Sequence, residues 1–222
     1  MKKMIYTVLF IFAISSIGMA QTRTTDIVYS KAGIIKIKDK KAIAAGTKWK
    51  DGPILSISLE DVGLFDGHIC ACNTAGFIIT KNVLAKLFPE ETPLRNSMNI
   101  KMSSYTQDIV DAIEFITGNR LDGGKYMNTP SDFVIDPSLK GEQGIVTFVF
   151  ERKDNVKKVK VVLNKAVLLS KKEMNIFMTI KPKMANKTAT KAEKKQLKEA
   201  TIAVVKKEII AIPKGAITYE VL

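Results

Sequence analysis

The chain has 222 residues, 46% of them hydrophobic and 26% charged, with a formal net charge of +13 at neutral pH. This is the ordinary composition of a globular protein. It supports one domain with an appendage or two small domains, each able to bury a core without help from its two cysteines. The charge is uneven: residues 151–222 carry eighteen Lys/Arg against seven Asp/Glu, whereas residues 21–150 carry fifteen of each sign. A basic surface can attract nucleic acid, but beyond Phe150 only Phe177 and Tyr219 are aromatic. No nucleic-acid-binding motif occurs either, so nucleic acid is not an expected partner.

In chain order, Met1-Lys2-Lys3-Met4 forms a positive start, Ile5–Ile17 is almost unbroken apolar sequence, and Gly18-Met19-Ala20 supplies small residues for cleavage. That pattern predicts a signal peptide over 1–20, cut before Gln21. The apolar run is shorter than the roughly 20 residues that span a bilayer, and no Cys follows for lipid attachment. The expected product is periplasmic or secreted, with no membrane anchor after cleavage.

Residues 27–38 alternate partly and predict a short hairpin or strand. Gly46 to Pro53 reads as a loop around Trp49. Ser56–Phe65 predicts a helix with Leu59, Val62 and Phe65 on one face, broken by Asp66-Gly67. A second helix runs from about Asn73 to Leu87, before Pro89. Thr106–Thr117 is the clearest helix, with Ile109, Ala112, Ile113 and Ile116 on one face and Gly118 as its stop. Phe133–Ile135, Gly144–Glu151 and Val159–Asn164 predict strands, the last two joined through a turn at Arg152–Asn155. Thr190–Ile209 predicts a Lys-rich helix capped by Thr190 or Thr188. Helices first and a sheet later imply an α+β fold: helices packed on a small antiparallel sheet, with a C-terminal basic helical extension. The expected division is signal 1–20, N-terminal segment 21–54, metal-binding domain 55–180 and extension 181–222.

The single His and both Cys fall within five positions, His68-Ile69-Cys70-Ala71-Cys72. Imidazole plus thiolate is a borderline-soft donor set suited to Zn²⁺ or Cu⁺. With a helix beginning near Asn73, both thiols would sit at its N-terminus, where the dipole lowers a thiol pKa by about one unit or more. Two nearby cysteines in an exported protein also predict a disulfide, and a strained Cys-x-Cys bridge is of the labile, redox-active kind. A Cys70–His68 nucleophile pair is a poor fit, because neighbouring positions seldom align for that chemistry.

Gly67-His68-Ile69-Cys70, followed by Gly76 and a helix, resembles the Gly-His-x-Cys-Pro-Gly signature of the FmdE-like proteins, a family named after a component of formylmethanofuran dehydrogenase. A second signature is similar as well: Asp111-Ala112-Ile113, then Thr117-Gly118, then Gly123-Gly124-Lys125. The resemblance covers about 55–165. It implies a small α+β domain that binds a transition metal, commonly zinc, through His68 and Cys70. Ala71 stands in place of the signature's Pro, Cys72 in place of its Gly, Ile78 in place of a frequent basic residue, and Asn119 in place of a Cys.

The expected metal ligands are therefore His68, Cys70 and Cys72, with Asp66 and Asp111 as carboxylates placed to support or complete the set, and the expected ion is Zn²⁺. The expected partner is a small molecule or a metal ligand, and a homodimer stays open. The alternative is a thiol–disulfide redox module using Cys70 and Cys72. A third option is an interaction protein presenting Lys191, Lys194, Lys195 and Lys198 to an acidic partner.

Overall fold

The computed structural model describes residues 27–47, 52–121 and 131–222. The expected signal peptide, Trp49 and Gly123-Gly124-Lys125 lie outside the described residues.

One helical turn, α1 (Ile27–Ser30), precedes β1 (Ile35–Lys38), so of the hairpin or strand expected over 27–38 the strand forms, confined to the second part of the segment. β1 pairs antiparallel with β2 (Ile54–Ile57) across α2 (Lys40–Ala44), which Asp39 caps through Lys41 and Ala42 N–H. α3 (Leu59–Asp66) starts later than expected because Ser58 caps it. The Ser58 side chain accepts from Asp61 N–H, and the Asp61 carboxylate accepts from Ser58 N–H. This reciprocal capping box satisfies donors that a helix start otherwise leaves open.

α4 (Ala71–Leu87) is the central helix, buried over most of its circumference through residues such as Phe77, Ile79, Val83 and Leu87. A helix apolar all round needs cover on every side. α4 receives it from α3, from α5 (Gln107–Thr117), from α8 (Lys191–Ile210) and from strands β6 (Lys158–Asn164) and β7 (Ile217–Val221). At Gly76 an added Cβ would stand 2.8 Å from Ala112 Cβ and 3.0 Å from the Ile109 carbonyl oxygen. Glycine there lets α4 and α5 approach closely enough to bring their N-terminal ends together.

The main sheet has the order β4-β3-β5-β6-β7, with β3 (Met98–Met102), β4 (Phe133–Ile135) and β5 (Ile145–Arg152) completing it. It is mixed, because β4 joins β3 in parallel, while the other pairs are antiparallel. β3 buries Met98, Ile100 and Met102 and exposes Asn99 and Lys101, the alternation of a strand with one face on the core.

The fold is α+β, but its C-terminal portion is not an appendage. α6 (Lys165–Leu168) leads into α7 (Lys171–Ala185), which runs across the boundary expected near 180. α8 is Lys-rich on its outer face yet buries Ala200, Val204 and Val205, and β7 then pairs with β6 from Val159↔Val221 to Leu163↔Ile217. Burial of that apolar stripe, which lysines on either side obscure in the sequence, makes residues 181–222 part of the main body.

Candidate metal centre

The site forms where α3 ends and α4 begins. Gly67 takes the left-handed conformation (φ +79°), which only glycine adopts without cost, and turns the chain out of α3. His68 and Ile69 follow, and Cys70 is the N-cap of α4. Buried Asn73 ties this loop down: its Oδ1 accepts from Cys70 N–H at 2.8 Å, and its Nδ2 donates to His68 C=O at 2.7 Å and to Asp66 Oδ2 at 2.9 Å.

His68 Nδ1 lies 3.2 Å from the Asp66 carbonyl oxygen, to which its N–H donates, leaving Nε2 as the free lone pair. The His68 side chain is 55% exposed, whereas Cys70 is buried beneath it. Asp108, in the first turn of α5, completes a convergence: its Oδ2 accepts from Cys70 Sγ–H at 3.1 Å and stands 4.0 Å from His68 Nε2. One donor atom from each of His68, Cys70 and Asp108 lies within 4.8 Å of the others.

This set fits a zinc-like ion. Zinc bonds of about 2.0–2.3 Å at tetrahedral angles place ligand atoms about 3.3–3.8 Å apart. The spacings of Asp108 from Cys70 and from His68 fall on either side of that range. Three protein ligands leave one coordination position for a further group.

Cys72 stands outside this trio. Its thiol adjoins that of Cys70, and its ionisable neighbours include Lys181, Lys165, Asp108 and Glu208. The two cysteines are free and behave oppositely. A hydrogen bond from Cys70, whose one S–H then turns away from Asp108, pulls Cys72 down to about 7 together with Lys181 and Lys165, against the effect of burial. That same bond, then burial, pushes Cys70 up. Of the two thiols expected to be lowered by the helix terminus only Cys72 is lowered, and by Cys70 and the two lysines, because two adjoining sulfurs cannot both ionise cheaply.

Asp66 and Asp111 meet on the other side of Asp108, where the three carboxylates form a second group within 4.8 Å. Gln107 Nε2 donates to both Asp111 oxygens at 2.7 Å. Burial first, then Asp66 and Asp108, raises the Asp111 carboxyl. This negative potential beside Asp108 favours a cation at the neighbouring trio.

Two residues of the site are absent from the sequence-based set. Asp108 lies one helical turn before Asp111 on the same face of α5, a three-residue spacing that could have drawn attention to it. Asn73 occupies the third helical position after a cap, where a polar side chain returns to the cap's N–H.

Residues 65–217 match the family model described as FmdE, Molybdenum formylmethanofuran dehydrogenase operon. No curated protein and no solved structure matches the chain. The match runs from the end of α3 through the His68–Cys70 loop to the start of β7, well over half the sequence, and the chain belongs to the FmdE family.

Proposed function

We propose that this FmdE-family protein is exported and holds a single transition-metal ion, zinc before others, through His68 Nε2, Cys70 Sγ and an Asp108 carboxylate oxygen. The observation that carries the reading is the convergence of three unlike donors, with Cys70 and Asp108 brought together across 38 positions of sequence. The Asp66 carbonyl orients the imidazole, Asn73 holds the loop, and the Asp66–Asp111 pair adds negative charge. Cys72 flanks the centre as the exchangeable thiol. A zinc ion so held supplies a Lewis acid with one open position. The charged start and apolar run of Met1–Ala20 support export, and a small molecule or metal ligand is the partner.

Elemental analysis of the purified protein, alongside thiol titration, tests this. About one zinc per chain is expected, lost in His68→Ala and Cys70→Ala and retained in Cys72→Ser; absence of metal from the wild type refutes it. Contact between the Cys72 and Cys70 thiols supports a second reading, a thiol–disulfide module. It predicts a metal-free protein whose two thiols appear only after reduction.

A further inference from the structure

The metal trio opens into a cavity of about 440 Å³, closed by α6, α7 and α8, and within the 300–1,000 Å³ range of small-molecule sites. Its walls are unlike those of a larger cavity beside α2 and β2, whose acid Asp39 already pairs with Arg95 at 3.3 Å. Leu168, Phe177, Met178 and Leu197 make one side apolar. Glu208 lines the same cavity at 1% exposure, and neither of its carboxyl oxygens has a hydrogen-bond partner among the described residues. Lys207, next in sequence, is engaged elsewhere, donating to Leu168 C=O at 3.0 Å and to Glu173 Oε2 at 2.8 Å. Burial raises the Glu208 carboxyl well above its usual range and so favours the neutral acid, whose carbonyl oxygen accepts and whose O–H donates. A buried polar group without a partner is costly, and a ligand donor would satisfy it.

Two cations line the same cavity. Lys165 is half-buried at the start of α6, and exposed Lys181 sits with its Nζ 5.3 Å from the centre of the Phe177 ring. Neither makes an ion pair among the described residues.

We propose that this cavity binds an apolar organic anion carrying an N–H or O–H donor, with Glu208 accepting that hydrogen at the floor and Lys165 and Lys181 holding the anionic group at the rim. His68, Cys70 and Asp108 line the same space, so a bound ligand lies beside the open metal position. That adjacency rests on the zinc reading; the pocket itself does not.

The probe is 2-anilinonaphthalene-6-sulfonate, an apolar sulfonate whose N–H lies at the opposite end of the naphthalene from its anion, titrated by fluorescence into zinc-loaded and EDTA-treated protein. One saturable site per chain is expected. Glu208→Leu weakens binding about tenfold through loss of the acceptor, while Glu208→Gln, which keeps a carbonyl oxygen, stays within roughly threefold. The Lys165→Ala/Lys181→Ala double variant weakens binding and removes its salt dependence. A melting temperature for Glu208→Leu at or above wild type shows that the weaker binding is not misfolding. Non-saturable binding, or wild-type affinity in Glu208→Leu, overturns the proposal. So does loss of zinc in Glu208→Leu, which would put that carboxyl on the ion. Retained probe affinity in a protein that takes up no zinc leaves the pocket standing while the zinc reading fails. Zinc bound with no probe binding overturns the pocket alone.

Discussion

Replacing Asn73 by Asp changes one atom type in the most buried part of the metal loop, and its cost follows from three hydrogen bonds. Aspartate keeps the acceptor for Cys70 N–H but turns the donor for His68 C=O and Asp66 Oδ2 into a second acceptor. Ionised, it would meet the Asp66 carboxylate at the 2.9 Å of the present hydrogen bond, a repulsion of about 6 kcal/mol at an effective dielectric of 20. Both donated bonds would also be lost. Taking up a proton restores one of them, at about 1.4 kcal/mol per pH unit above the normal carboxyl pKa, or about 4 kcal/mol at pH 7. Adding about 1 kcal/mol for the other bond, the protonated form wins and the variant is destabilised by about 5 kcal/mol at pH 7. At pH 5 the same sum is about 2.5 kcal/mol. The sign is that of a carboxyl raised in the folded state, whose penalty shrinks as pH falls. Urea unfolding of metal-free wild type and Asn73→Asp at pH 7 and pH 5 measures both values. A cost below 1 kcal/mol at pH 7, or equal costs at the two pH values, would refute Asn73 as the residue that holds the loop.

Gly76→Ala gains about 1 kcal/mol of helix propensity. However, it forces a methyl against Ala112 and the Ile109 carbonyl, at an overpacking cost of about 1–3 kcal/mol. Net destabilisation and several-fold weaker zinc binding are expected, since α5 carries Asp108; thermal unfolding and zinc competition check both, and a stabilised variant contradicts a rigid contact. Acid stability depends on the α7–α8 pair. The bond from Lys183, then Thr190 N–H, lowers Glu193 to about 2, while Glu173 is lowered by Lys207 and Ser170 despite burial, which acts the other way. Both groups add stability above their ordinary value of 4.5 and lose it as pH falls below that value, Glu193 down to about 2, so Glu173→Gln/Glu193→Gln should flatten the decline seen by circular dichroism below pH 4.5. Chelation should lower the melting temperature. Free zinc at 100 times its Kd contributes about 2.7 kcal/mol, and His68→Ala should melt alike with and without chelator.

Local signals were legible in the chain. Ile109, Ala112, Ile113 and Ile116 with Gly118 mark α5, Thr190 and Glu193 start α8, and Val-rich runs mark β5 and β6. The His68–Cys72 cluster, the Asp66-Gly67 break and the family likeness were legible for the same reason: each is written in neighbouring residues, through helical or strand period, capping chemistry or motif. Ser58 could have set the start of α3 by the same rule. β3, in contrast, is built on Met98 and Met102, which carry little strand preference, and declares itself only by pairing with β5. Tertiary structure alone decided that Asp108 meets Cys70, that the Lys-rich C-terminal segment closes the cavity and supplies β7, and that Glu208 is buried although it follows Lys206 and Lys207. Those outcomes depend on which faces of α4, α5 and α8 are buried against one another. Burial is shared across long separations in the chain, so no short window of sequence contains it.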